Sequence, residues 1–328
     1  MDQLPTLNDI RAAARVIEGV AHRTPLVPAA LDGEILLKLE SLQPIGAFKL
    51  RGALNAISKL DDAQKARGVT CASTGNHGRA VAYAAKRQGI RATVCLSNLV
   101  PDVKVNGIEA LGGEVRRCGA TQDDAEREVR RLVEEEGVVD IPPFDHPNVI
   151  AGQGTIGIEL LEDRPDLETL IVPMSGGGLI AGIAIAAKSI KPSIRVIGVT
   201  MDRGAAMAES MAAGKLVDVD ELPTLADSLS GGIPGNRYTL QLCRELVDEA
   251  VLVTEHEIYR AMAALLLQEG LVAEGGAAVG YAAVLADKIR SAGPTAIVIS
   301  GRNVDMTRLC DIAAGRPVTV GDLVIKPD

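Results

Sequence analysis

Aromatic residues are scarce in this chain, at 2% of 328 residues, with two Phe, four Tyr and no Trp. So few rings offer little surface for stacking nucleobases. The core must instead be built from Ala, Val, Ile and Leu, which suits helices packed on buried parallel strands. Dense basic runs are missing too. The formal net charge is -9, and Arg127 to Arg131 is interleaved with Glu and followed by Glu134 to Glu136. That stretch reads as a solvated helix face, and nucleic acid and anionic membrane are poor partners for it. No apolar run reaches the length of a membrane span, because the run through Ile180 to Ala187 stops at Lys188. The start, Met1 to Pro5, lacks the basic and apolar regions of a signal peptide. Five scattered cysteines form no CxxC pair and no metal-ligand spacing with the four histidines. Reduced thiols, a cytoplasmic location and no bound metal are the expectations.

What is present is strand–helix alternation over most of the length. Short branched runs at Ile35–Leu39, Val69–Ala72, Ala92–Leu96, Glu114–Arg117, Leu170–Pro173, Arg195–Thr200 and Ala296–Ser300 read as strands. Helical patterns cover Leu7–Glu18, Asn76–Gln88, Gln122–Glu136, Gly178–Ile190, Glu255–Gln268 and Gly275–Ala292. The alternation predicts an α/β fold with right-handed crossovers. Ile141 to Pro147 breaks all periodicity and reads as a boundary, and Val219 to Asn236 reads as a second irregular tract. The 28 residues after Ser300 are too few for an appended regulatory domain.

Four segments carry candidate chemistry. Gly46-Ala-Phe-Lys49-Leu-Arg-Gly-Ala53 places a lysine among small residues and one ring where an extended segment turns into a helix. An exposed lysine has a pKa near ~10.4, so an imine-forming one must be partly desolvated. Ser73-Thr-Gly-Asn-His-Gly78 follows a strand and opens a helix, where free amides and hydroxyls suit a carboxylate; capping alone explains one hydroxyl but less easily Asn76 and His77. Ser175-Gly-Gly-Gly178 follows another strand and can cradle a phosphate. The same stretch, as Gly176-x-Gly178-x-x-Ala181 with Asp202 further on, also fits a dinucleotide fingerprint. Ser300 ends the last strand and offers a neutral hydroxyl. An amine, an anion cradle, an oxygen-binding turn and a neutral hydroxyl match pyridoxal 5'-phosphate as a set. A nicotinamide dinucleotide would leave Lys49 and Ser300 without roles. An NAD-dependent oxidoreductase and a non-catalytic binding protein stand as distant alternatives.

With these motifs, and with Arg23-Thr-Pro-Leu26, Glu40-x-x-Gln43, Ala151-Gly-Gln-Gly-Thr155 and Val272-Ala-Glu274, the chain resembles the fold-type II pyridoxal-phosphate enzymes of the threonine dehydratase and serine racemase family. Its Ser73–Gly78 and Asn236–Thr239 segments are similar to those of the hydroxyectoine-utilisation dehydratase branch. The resemblance implies a tryptophan synthase β-like fold of two open, twisted, mostly parallel sheets flanked by helices. It implies a large cofactor domain of residues 1–60 and 146–328, a small α/β domain of residues 61–145, and a homodimer. Lys49 would carry the cofactor as a Schiff base and move the Cα proton, with Phe48 beside the ring. Asn76 would bond the phenolic oxygen, Ser175, Gly176, Gly177, Gly178 and Leu179 the phosphate, and Ser300 the ring nitrogen. Ser73, Thr74, Asn76 and His77 would grip the substrate carboxylate. The implied activity is a lyase reaction that turns a β-hydroxy amino acid (threonine, serine or 3-hydroxyaspartate) into a 2-oxo acid and ammonia; racemisation or β-replacement is the alternative. Thr74 stands where serine racemase has a serine acting as acid–base, which counts against racemisation. Thr200 and Ala206 stand where the racemase has acidic metal ligands. Arg203 and Arg237 are candidates for holding a second carboxylate.

Overall fold

The computed structural model describes residues 3–233, 235–290 and 293–326. In chain order the strands are β1 (Leu26–Pro28), β2 (Ile35–Lys38), β3 (Val69–Ala72), β4 (Ala92–Leu96), β5 (Glu114–Arg117), β6 (Val139–Asp140), β7 (Thr169–Pro173), β8 (Arg195–Met201), β9 (Glu249–Val253), β10 (Thr295–Val298), β11 (Val318–Val320) and β12 (Leu323–Ile325). The helices are α1 (Leu7–Ile17), α2 (Lys49–Ser58), α3 (Asp62–Arg67), α4 (Asn76–Arg87), α5 (Asp102–Glu109), α6 (Gln122–Glu136), α7 (Pro147–Asp163), α8 (Gly178–Ile190), α9 (Ala206–Ala213), α10 (Thr239–Leu246), α11 (Glu255–Leu267), α12 (Gly275–Leu285) and α13 (Met306–Ala313).

The larger sheet runs β1-β2-β10-β7-β8-β9 and is parallel except for β1. Its alternating side chains feed two cores, as a doubly covered sheet requires. Leu37, Ile171, Ile197 and Ile297 pack with α11 to α13, whereas Leu36, Leu170, Val196 and Ala296 pack with α1, α7, α8 and α10. The smaller sheet, β5-β4-β3-β6, is parallel throughout. The expected two-sheet α/β class is therefore observed. Strands β11 and β12 add a separate antiparallel hairpin.

The departures from the sequence reading include two helices that shape the site's surroundings. The helix expected over Gly275–Ala292 stops at Leu285. There the Lys288 and Ile289 amides turn back onto the Ala283 carbonyl and Asp287 adopts φ 56, a left-handed closure that sequence periodicity does not mark. Residues Ser291 and Ala292 lie outside the described residues. Conversely, the break at Ile141–Pro147 opens the longest described helix, α7, with Pro147 in its first turn and the His146 ring accepting from the Asn148 amide at 3.2 Å. Glycine costs about 1 kcal/mol in a helix interior, which hides α7 from propensity. Its glycines are packing sites: a Cβ on Gly152 would lie 2.5 Å from the Arg51 carbonyl oxygen, and one on Gly154 2.7 Å from that of Gly182. Close approach of α2 and α8 thus offsets the weak propensity. Helix α2 lies between the two sheets' cores. Leu50, Ala53, Leu54 and Ile57 join the cluster around the smaller sheet, and Gly52 abuts Val149 and Gln153 of α7.

Candidate active site

Lys49 is the first residue of α2. Two features stitch its segment to the chain leaving β10: a bridge between Ala47 and Gly301, and the Phe48 amide donating to the Ser300 carbonyl at 3.0 Å. One half-turn on, Arg51 is 1% exposed and donates to both oxygens of Glu40 (2.8 and 2.7 Å) and of Glu159 (2.6 and 2.9 Å). Lys38 donates to Glu159 at 2.6 Å, while Thr24 and Gln43 donate to Glu40. Burial acts to raise the Glu40 carboxyl, but the Arg51 guanidinium outweighs it and holds the group below the usual carboxylate range. Two cations and two anions therefore balance beneath the lysine. This network gives the Thr24, Glu40, Gln43 and Thr155 motif positions a physical role, since Thr155 also accepts from Arg51.

The Lys49 amine donates to the Pro143 carbonyl at 2.6 Å and sits 5.4 Å from the centre of the Phe48 ring. Loss of hydration lowers its pKa to about 8, opposed by the charge of Glu274. It faces a cavity of about 470 Å³ at the carboxyl ends of β3, β7 and β10, where open α/β sheets bind ligands. Phe48, Lys49, Ser73, Thr74, Asn76, His77, Ser175, Gly176, Gly177, Gly178, Leu179 and Ser300 all line it. Asp202, Arg203 and Arg237 do not; Arg203 is turned to the Pro223 carbonyl at 2.7 Å. The guanidinium that does line the cavity is that of Arg79.

At the β3–α4 turn the first amides of α4 lack helical partners. His77 is buried, and its Nε2 donates to the Ile141 carbonyl at 2.6 Å. Burial, then the Lys49 charge, lowers this ring to about 3, so it is neutral and its Nε2 is engaged with the backbone. Asn76 is held by two residues to which the sequence motifs gave no task. Its Nδ2 donates to Glu274 Oε1 at 2.7 Å, and its Oδ1 accepts from Asn303 Nδ2 at 2.6 Å. Glu274 and Asn303 both line the cavity. Their only sequence signal was position, Glu274 in the Val272–Glu274 motif and Asn303 just after Ser300.

The β7–α8 turn tests whether a phosphate fits. Side chains are sterically excluded there: a Cβ on Gly176 would overlap the Phe144 ring, and one on Gly178 would lie 2.8 Å from the Phe144 carbonyl oxygen. Gly177 has φ 84 and is hemmed by Met207, Cys243 and Thr239. What remains is backbone N–H at the positive end of α8, the chemistry that holds a phosphate dianion. Thr239 fixes the loop by donating to the Gly176 carbonyl at 2.7 Å, and Ser175 donates to the Leu229 carbonyl at 2.8 Å. The Asp145 carboxylate in turn accepts from the Tyr238 and Thr239 amides, each at 2.9 Å. The residues present therefore fit pyridoxal phosphate: a desolvated amine, a glycine cradle and the neutral Ser300, which is 3% exposed.

Comparison with known proteins agrees. The family described as "Pyridoxal-phosphate dependent enzyme" matches residues 17–301. A Sinorhizobium fredii protein is 51% identical over 92% of this chain and 93% of its own length. The L-threonine ammonia-lyase of Thermotoga maritima is 43% identical, covering 93% of this chain and 77% of that protein. Maize serine racemase is similar in structure, with a TM-score of 0.89, 37% identity and coverage of 94% of this chain and 97% of that one. Among the described residues no helix is long and apolar enough to cross a membrane.

Proposed function

We propose, from the premise that this chain belongs to the pyridoxal-phosphate-dependent enzymes of the threonine dehydratase and serine racemase family, that it is a lyase converting a β-hydroxy amino acid to a 2-oxo acid and ammonia. Its cofactor is pyridoxal 5'-phosphate. When bound, this group supplies an electron sink conjugated to the substrate's Cα. The protein's residues do the rest. The Gly176, Gly177, Gly178 and Leu179 amides, with that of Ser175, bind the phosphate. Ser300 offers a hydroxyl to the ring nitrogen, and Phe48 packs beside the ring. Ser73, Thr74 and the amides of Asn76 and His77 hold the substrate carboxylate. Lys49 would take the Cα proton as a general base; loss of hydration lowers its pKa to about 8, which is matched to that task. The Cβ hydroxyl then leaves as water with one added proton, which the Lys49 ammonium formed at Cα supplies, and the released enamine tautomerises and hydrolyses to the oxo acid and ammonia.

The observation that carries this reading is the desolvated Lys49 amine in one cavity with the carboxylate-binding turn, the glycine cradle and Ser300. The test is ammonia release across L-threonine, L-serine, both 3-hydroxyaspartate diastereomers and hydroxylated diaminobutyrates, the last because of the hydroxyectoine-branch likeness. Release from none of these would reject the assignment. Racemisation is the second reading: Thr74 keeps a hydroxyl on the cavity wall, although it is bulkier and stiffer than the serine of the racemases. D-serine appearing faster than pyruvate from L-serine would favour it. The same reading includes a homodimer, a cytoplasmic location and the division into residues 1–60 with 146–328 and 61–145. Light scattering of the purified protein tests the dimer.

A further inference from the structure

The Asn76 amide sits in a hydrogen-bond chain that ends on two acceptors, the Ile45 carbonyl and the Glu274 carboxylate in its ionised form. Asn303 Nδ2 donates to the Ile45 carbonyl at 3.0 Å and to Asn76 Oδ1 at 2.6 Å. Asn76 Nδ2 donates to Glu274 Oε1 at 2.7 Å, and the Asn303 amide donates to Glu274 Oε2 at 3.0 Å. A backbone carbonyl only accepts, and so does an ionised carboxylate. Were the Asn76 amide turned over, it would set oxygen against the Glu274 carboxylate and NH2 against the NH2 of Asn303. One orientation is therefore enforced, with one Nδ2 hydrogen spent on Glu274 and the other left over.

We propose that Glu274 is a positioning residue: with Asn303 it locks Asn76 so that an N–H, and not an oxygen, is presented to the cofactor's phenolic oxygen. This rests on the reading given under Proposed function. Glu274 is 4% exposed and lines the cavity. The groups facing it are Lys49 from α2, Asn76 from α4, Asn303 after β10, and Asp227 and Ser228 from the turn over α12. Burial is the largest influence on its carboxyl and raises it to about 7, with Asp227 adding to the rise and Ser228, Asn76 and Asn303 opposing it. Below that pH a protonated oxygen would face a donor, so the lock weakens in acid.

Three proteins test this: Glu274→Gln, Asn76→Asp and the double variant. In Glu274→Gln one end of the new carboxamide opposes a donor. In the double variant the introduced glutamine donates from Nε2 to the introduced aspartate, and Asn303 Nδ2 donates to that same carboxylate. The glutamine Oε1 accepts from the Asn303 amide. Every bond of the chain is then restored, but an oxygen faces the cofactor. The readouts are the dissociation constant for pyridoxal phosphate, the visible absorption band of the holoenzyme against pH, and the melting temperature. In Glu274→Gln the dissociation constant should rise about tenfold or more, with the band shifted and its titration near pH 7 lost. In the double variant the melting temperature should return to the parent's while affinity and band stay impaired. Affinity and band recovering together with the melting temperature would mean a purely structural role and overturn the proposal. So would a Glu274→Gln holoenzyme with the parent's affinity and band. A parent protein that takes up no pyridoxal phosphate would instead overturn the underlying reading.

Discussion

Replacing Arg51 by methionine tests the charge balance under the active-site lysine. The change removes a guanidinium that donates to Glu40, Glu159, Thr155 and the His22 carbonyl, while keeping an apolar stem of similar length. Lys38 remains to answer Glu159. Glu40, with no exposed surface, keeps only the Thr24 hydroxyl and the Gln43 amide. Breaking a buried pair from one side costs about 3–5 kcal/mol, against a total stability of about 5–15 kcal/mol. Urea unfolding, followed by circular dichroism on cofactor-free and cofactor-loaded protein, should show that loss in both. Adding Glu40→Gln should recover part of it, because the orphaned charge is gone, with a coupling of about 0.5–3 kcal/mol. The pH profile follows. Glu40 has a depressed folded pKa, so its contribution is present above the unfolded carboxylate pKa and is lost as pH falls through the folded one. Arg51→Met should flatten that acid limb. A variant within about 1 kcal/mol of the parent, with no recovery in the double variant, would mean that Arg51 does not neutralise a buried Glu40 charge.

His77 sets another pH dependence. Its ring is neutral in the fold, at about 3 against an ordinary 6.5, so the unfolded chain binds more protons between those values and stability rises with pH there. The parent should lose about 2 kcal/mol from this group between pH 7 and pH 5, and His77→Gln should lose the slope; an unchanged slope in urea midpoints would contradict it. Gly177→Ala forces a side chain at φ 84 against Met207 and Cys243. It should cost about 1–3 kcal/mol and weaken pyridoxal phosphate binding measured by fluorescence; a parent-like dissociation constant would remove the cradle from the account. Arg79 lines the cavity and, among the described residues, pairs with no carboxylate. Arg79→Ala should raise KM for 3-hydroxyaspartate about tenfold more than for threonine. Equal changes would show that Arg79 does not read a second acid group.

Much of this was legible in the sequence because it is local. α6 and α8 span the expected residues, and the lysine, hydroxyl and glycine segments converge on one cavity because each follows a strand end or opens a helix. What was illegible is tertiary. The glycines of α7 weaken local helix propensity and make sense only beside the Arg51 and Gly182 carbonyls. Arg203 and Arg237 carry the right charge for a second carboxylate, yet the chain points Arg203 to Pro223 and keeps both off the cavity wall. Glu274 and Asn303 are far from Asn76 in sequence, and only the fold turns three ordinary polar residues into a directional relay.

In the proposed enzyme a single amine, that of Lys49, holds the coenzyme. Borohydride reduction of the holoenzyme, followed by peptide mass spectrometry, tests it most directly. The reduced coenzyme is expected on the peptide carrying Lys49, and a Lys49→Ala protein is expected to show neither that adduct nor ammonia release. Coenzyme found on a different lysine, or ammonia release surviving in Lys49→Ala, would contradict it.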